Sequence, residues 1–274
     1  MNRGEIFGFL GPNGSGKTST MCMLLGLAHP TSGRARILGM DVTNQLSEIL
    51  RRTGSLIENP TFYPFLSGRE NLHILSDVTG TGRERIATVL DLVEMRADAD
   101  RAFSTYSMGM KQRIGVAGAL LTEPEVLILD EPANGLDPAG IVEMRTLMQQ
   151  VREAGHTVFV SSHVLHEIEQ VCDRIAILNH GQVVAQGSVQ QLLGETDRIE
   201  IQIDRPVEAA TILKGLEWVT DVAVEGDALI VAAPIDRSSE INKALADRGV
   251  YASIIRPRQE SLERYFLELT GAAA

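Results

Sequence analysis

The chain mixes short unbroken apolar runs with longer stretches in which apolar residues recur every three or four positions. EIFGFL (5–10), VLILD (126–130) and TVFVSS (157–162) are unbroken runs, the pattern of strands buried on both faces. Helical spacing follows the first run in STMCMLLGL, which ends at turn signals His29-Pro30 and Ser32-Gly33. From about 61 to 122 the pattern is helical throughout, with LSGRENLHIL, GRERIATVLDLVEM and KQRIGVAGALL as the predicted helices. After VLILD come the turn-rich PANGLDP and a helix to about Gly155. LHEIEQVC reads as a helix, and RIAILNHGQVVAQG as a hairpin turning at Asn179-His180-Gly181.

Near Gly187 to Thr196 the composition shifts. Beyond it the pattern runs IEIQID, a helix from Glu208 to Leu216, VTDVAVEG, DALIVAAP, a helix from about Ser238 to Arg248, YASIIRP and a last helix to Leu269. That βαββαβ order predicts a small α+β, ferredoxin-like appendix over 195–274, following a larger α/β domain over 1–190. Within the larger domain, about 61–122 forms an inserted helical subdomain.

Composition narrows the function classes. Acids outnumber bases 36 to 25 for a formal charge of −11, which argues against nucleic acid as the main partner, since phosphate-backbone binders present a basic face. No stretch approaches the roughly 18 to 20 apolar residues of a membrane span, and Glu5 with the early glycines interrupts any signal-peptide core. A cytoplasmic location is expected. Cys22 and Cys172 lie in helical patterns and read as buried reduced thiols.

The first strand leads into Gly11-Pro12-Asn13-Gly14-Ser15-Gly16-Lys17-Thr18, a G-x-x-x-x-G-K-[ST] loop placed before a helix that begins near Ser19. There the glycines let backbone N–H groups converge on phosphate oxygens, Lys17 reaches the β- and γ-phosphates, and Thr18 ligates Mg²⁺. Asp130 ends a buried strand and Glu131 follows it. At that edge Asp130 can hold Mg²⁺ through water and Glu131 can take a proton from an attacking water.

One stretch, YSMGMKQR (106–113), offers no chemistry of its own. With the phosphate loop, the Asp130-Glu131 pair, Asn134-Gly135-Leu136-Asp137 and Ser162-His163, it resembles the ATP-binding-cassette (ABC) ATPases over roughly residues 4 to 190. The family's signature, L-S-G-G-Q, aligns with Tyr106-Ser107-Met108-Gly109-Met110, where the serine and second glycine are kept. The resemblance implies a P-loop NTPase with a RecA-like core, binding ATP and Mg²⁺. It implies that Ser107 and Gly109 touch the γ-phosphate of a nucleotide held by a second subunit, in a homodimer or heterodimer. It also implies that His163 contacts the γ-phosphate and attacking water, and that Asp137 couples the two sites. The position usually held by a glutamine is Glu58, in GSLIENP. There a carboxylate can ligate Mg²⁺ or order water, at the cost of added negative charge.

The stretch GSLIENPTFYPFLSGREN and the tail SLERYFLELTG are similar to those of bacitracin- and lantibiotic-type exporter subunits. The function implied is the ATP-hydrolysing subunit of a two-component exporter, peripheral on the inner face of the membrane, driving a separate permease, with an antibiotic or bacteriocin-like peptide as cargo. Two alternatives are a soluble cassette protein acting on ribosomes or DNA, whose usual paired cassettes or basic extensions are not seen here, and a non-hydrolysing nucleotide-binding subunit. Only ten residues precede Gly11, whereas family members place a longer segment there with a strand pair and an adenine-stacking aromatic. No stacking residue is therefore named, and an unpaired sheet edge is expected.

Overall fold

The computed structural model describes residues 1–193 and 198–258, together with 262 and 266. Two compact units divide the chain, one built on Met1–Leu192 and the other on Leu193–Tyr265.

In the first unit the order is β1 (Ile6–Leu10), α1 (Lys17–Leu24), a short ribbon of β2 (Arg36–Ile37) and β3 (Met40–Asp41), α2 (Leu46–Arg51) and β4 (Thr53–Leu56). Then come α3 (Gly68–Thr79), α4 (Glu84–Leu92), α5 (Met108–Leu120), β5 (Val126–Asp130), α6 (Pro138–Glu153), β6 (Thr157–Ser162), α7 (Leu165–Glu169), β7 (Arg174–Asn179), β8 (Gln182–Ser188) and α8 (Val189–Leu193). Six strands form one sheet in the order β4-β5-β6-β1-β7-β8, parallel but for the β7–β8 hairpin. The apolar runs form its centre. Every residue of β5 and β6 is buried, as a parallel strand covered on both faces requires. On one face Phe9, Ile128 and Phe159 pack with Met21 and Leu25 beyond them, which orients α1 over the strand that feeds it.

The predicted hairpin turns where expected. His180 (φ 47°) and Gly181 (φ 78°) make a two-residue loop with both residues left-handed, the geometry that matches strand twist. The ends of most predicted helices shift by a few residues, as frayed termini do. β1 is interior, between β6 and β7, and the edges are β4 and β8.

β4 is a strand that the hydrophobic pattern did not reveal. TGSL is short and carries Gly54, a residue that ordinarily weakens a strand. The glycine is required by packing: a Cβ there would run into the carbonyl oxygen of Ala119 in α5. α5 therefore lies directly on β4, with Leu56 and Pro60 against Gly115. The loop after β4 is pinned in turn by Asn71 of α3, which accepts from the Tyr63 amide (2.9 Å) and donates to the Tyr63 carbonyl (3.1 Å).

In the second unit β9 (Arg198–Ile203), α9 (Pro206–Leu213), β10 (Asp221–Glu225), β11 (Ala228–Ala232), α10 (Ser238–Ala246) and β12 (Ala252–Pro257) follow the expected βαββαβ order. Their sheet runs β10-β11-β9-β12, antiparallel throughout, the arrangement of a split βαβ pair. Alternate residues Ile199, Ile201 and Ile203 of β9 join Leu213, Leu229, Val231, Ile241 and Leu245 in one core, the period of two that a one-sided sheet imposes. The helix expected to run to Leu269 lies outside the described residues but for Leu262 and Phe266.

Candidate functional site

The strand ends of β1, β4, β5 and β6 bring four sequence segments together. Gly14 (φ 79°) and Gly16 (φ 105°) give the loop after β1 its left-handed bends, which a side chain resists. α1 then starts at Lys17, with no side chain capping its first amides. Those amides remain available to an anion. The turn of the β7–β8 hairpin braces the loop from outside, through the Gly181 amide donating to the Ser15 carbonyl (3.0 Å).

Lys17 is buried, 5% exposed. Its Nζ donates to the Gly11 carbonyl (2.8 Å) and the Pro12 carbonyl (3.3 Å) and pairs with Glu131 Oε1 (3.2 Å). Thr18 Oγ1 donates to Asp130 Oδ2 at 2.8 Å. Register explains the rest: Ser161 of β6 stands opposite Asp130 of β5, its Oγ donating to Asp130 Oδ1 while accepting from the Glu131 amide (2.9 Å). One serine thus fixes both acids. Glu131 itself sits at φ 51°, a left-handed conformation that costs a non-glycine residue on the order of 1 kcal/mol. Its Oε2 is hydrogen-bonded to His163 Nδ1.

Asn13, Gly14, Gly16, Lys17, Thr18, Ser19, Glu58, Asp130, Glu131 and His163 line one open cavity of about 470 Å³. Glu58 reaches it from the loop leaving β4, also left-handed at φ 59°. Gly11, Pro12 and Ser15 belong to the loop but lie outside that lining.

Ser107, Gly109 and Asp137 are not among them. These three line a separate cavity of about 560 Å³ with Met108, Leu136 and Arg113. Ser107 caps α5, accepting from the Met110 amide (3.3 Å), and Asp137 caps α6, accepting from the Gly140 amide (3.0 Å). Each is committed to its own helix start, and both helix starts face the second cavity.

The residues fit a nucleotide phosphate chain and a divalent cation on two observations. α1 starts on the wall of the first cavity with no side chain capping its first amides, donors that an anion can satisfy. Thr18 Oγ1 and Asp130 Oδ2 stand 2.8 Å apart on the wall of that cavity, a hydroxyl and a carboxylate oxygen of the hard type that Mg²⁺ takes directly or through water. Among the described residues no three His, Cys, Asp or Glu side chains converge on one point. A cation here would rely on phosphate oxygens and water for its remaining ligands, as Mg²⁺ commonly does.

Two residues around the site, Ser161 and Glu167, escaped the sequence reading, and Asn134, quoted there only as part of a motif, was given no role. Ser161 could have been found by pairing the two apolar strands in parallel, which sets it against Asp130. Asn134 lines the first cavity from the loop after β5. Glu167 of α7 lies behind His163 in a small cavity of about 170 Å³, with Arg145. Burial pushes its carboxyl above the ordinary glutamate range; the neighbouring His163 and Arg145 oppose that rise, and Glu131 adds to it.

The sequence model described as "ABC transporter" matches residues 1–134. The chain is 40% identical over 275 residues to the bacitracin transport ATP-binding protein BcrA of Bacillus licheniformis, spanning 99% of this chain and 90% of that protein. It is 39% identical over 272 residues to the protein of the same name from Enterococcus faecalis (98% and 88%). Against the daunorubicin resistance ATP-binding protein DrrA3 of Streptomyces coeruleorubidus the identity is 35% over 279 residues (98% and 88%). Among solved structures, an ATP-binding subunit of an ABC transporter superposes with a TM-score of 0.61 at 29% identity, covering 70% of this chain and 81% of that one. A dimeric ATP-binding cassette in a post-hydrolysis state with ADP and Pi gives 0.62 at 25% identity (69% and 88%).

Proposed function

The chain belongs to the ATP-binding proteins of ABC transporters, and from that premise we propose that it is the motor subunit of a two-component exporter acting on a separate membrane permease. It is an ATPase whose hydrolysis is coupled to transport. In this reading it works on the inner face of the cell membrane and exports an antibiotic or bacteriocin-like peptide. The near full-length identity to two bacitracin transport proteins carries the reading, and the likeness to a daunorubicin resistance protein supports it.

The geometry supports the following parts for the site residues. Lys17 exchanges its carbonyl and Glu131 partners for phosphate oxygens, which frees the Glu131 carboxylate to accept a proton from water. His163 holds Glu131 by its other oxygen. Thr18 and Asp130 would hold Mg²⁺, with Glu58 facing the same space. Bound there, the ion neutralises charge developing on the transferred phosphoryl group. Ser161 keeps Asp130 and Glu131 at a fixed separation. Ser107 and Gly109 present a helix start that favours an anion, and in the proposed dimer that anion is the partner's γ-phosphate.

The test is to express the chain with a candidate permease in a bacitracin-sensitive host. Wild type should raise the tolerated concentration and Lys17→Ala should not. Equal tolerance for the two, with both proteins present at the membrane, would sink the exporter reading.

A further inference from the structure

The two helix starts on the second cavity are joined below their tips. Counted from the caps, Arg113 is six residues past Ser107 and Glu143 is six past Asp137, about 9 Å down each axis at 1.5 Å per residue. At that shared depth Arg113 Nη2 donates to Glu143 Oε2 at 3.0 Å. Its Nη1 donates to the Val93 carbonyl (2.8 Å) and to Glu94 Oε2 (3.2 Å) at the end of α4. The Arg113 side chain is 11% exposed, whereas Glu143 and Glu94 are 59% and 63% exposed.

At the tips the contact is apolar. Leu136 Cδ2 and Met108 Cε come within 3.8 Å of where a Cβ would stand on Gly109 and Gly135. So α5 and α6 are tied twice, once at their caps and once through a guanidinium that also grips α4.

A half-exposed ion pair adds little stability. The planar fork of an arginine, however, fixes the relative position of what it joins. We propose that Arg113 is a positioning residue. It struts α5 against α6 and the end of α4, so that Ser107, Gly109 and Asp137 reach the partner's nucleotide as one rigid unit. The strut rests on the two-subunit reading above. Its leverage is geometric, because a displacement of about 1 Å at such a contact can cost on the order of 100-fold.

The test uses the full chain with Glu131→Gln to hold ATP, adding Glu143→Gln or Arg113→Lys. Mg-ATP binding to the single chain should be unchanged, while the ATP concentration at half-maximal pairing rises at least about tenfold. Nitroxide labels at Thr105 and Ala139, with Cys22 replaced by serine, should show a broader distance distribution in Glu143→Gln. Unchanged pairing overturns the proposal, as does an unchanged distance distribution or a parallel loss of Mg-ATP binding. Should Arg113→Lys fold poorly, Glu143→Gln alters only a half-exposed side chain and still decides. A parent that stays single with ATP bound sinks the two-subunit reading itself, whereas a parent that pairs, with Glu143→Gln pairing as readily, sinks only the strut.

Discussion

The two cavities of the first unit are built on opposite plans. Around Lys17 the charges at the strand ends are answered: its Nζ has two carbonyls and Glu131, Asp130 has Thr18 and Ser161, and Glu131 has His163. Ser107 and Asp137 satisfy only their own helices, and what these two residues offer outward is the start of a helix. The first arrangement can bind and polarise a phosphate chain with its own residues. The second has anion-favouring helix ends, no lysine in its lining, and acids such as Glu94 and Glu143 that are tied to Arg113. A site that carries its own phosphate and acid groups, beside a cavity of bare helix starts on the same unit, is the layout the proposed head-to-tail pair would use, the helix starts of each chain closing the site of the other.

Lys17→Ala breaks the first plan most severely. It strips the phosphate partner and leaves the Glu131 carboxylate without its cation, so hydrolysis measured by phosphate release should fall by about 100-fold or more. Mg-ATP binding should weaken with it. Ser107→Arg attacks only the second plan: hydrolysis should again drop by roughly 100-fold, but Mg-ATP binding to the single chain should persist in a fluorescence titration. If binding falls equally in both variants, the two cavities are not separable and the comparison fails.

Smaller effects sharpen it. Asp137→Ala removes the α6 cap, which should cost about 1 kcal/mol and lower the melting temperature by about 2–4 °C, seen by calorimetry without any change in Mg-ATP affinity. The smallest effect belongs to Glu167. Its folded-state pKa is raised, so the folded chain holds this proton more tightly than the unfolded one. The resulting penalty is absent below the ordinary glutamate value of 4.5 and grows as pH rises from there through the folded pKa. Glu167→Gln should therefore melt slightly above wild type at neutral pH, with the gap closing as the pH falls to that value. A gap that widens on acidification would contradict the assignment.

What the sequence disclosed follows from where its signals are local. The phosphate loop, Asp130-Glu131 and the strands that carry them are contiguous words, and strands buried on both faces announce themselves as unbroken apolar runs. The split βαβ order of the second unit was equally readable, because its one-sided sheet imposes a period of two on Ile199, Ile201 and Ile203. β4 was hidden because Gly54 serves contact with Ala119 rather than strand propensity. Ser161 was hidden because its importance arises from register with Asp130, a relation between strands that lie apart in the chain. The Arg113–Glu143 pair was hidden for the same reason, since six residues past a cap means something only once two caps are side by side.

The central claim is that the second cavity completes a partner's site, and the direct measurement is mass in solution. Glu131→Gln removes the proposed base while leaving the phosphate contacts, so ATP should accumulate. Light scattering behind a sizing column should show the mass double with Mg-ATP and stay single without it, and adding Ser107→Arg should abolish the doubling. A single-chain mass with ATP demonstrably bound would contradict the account.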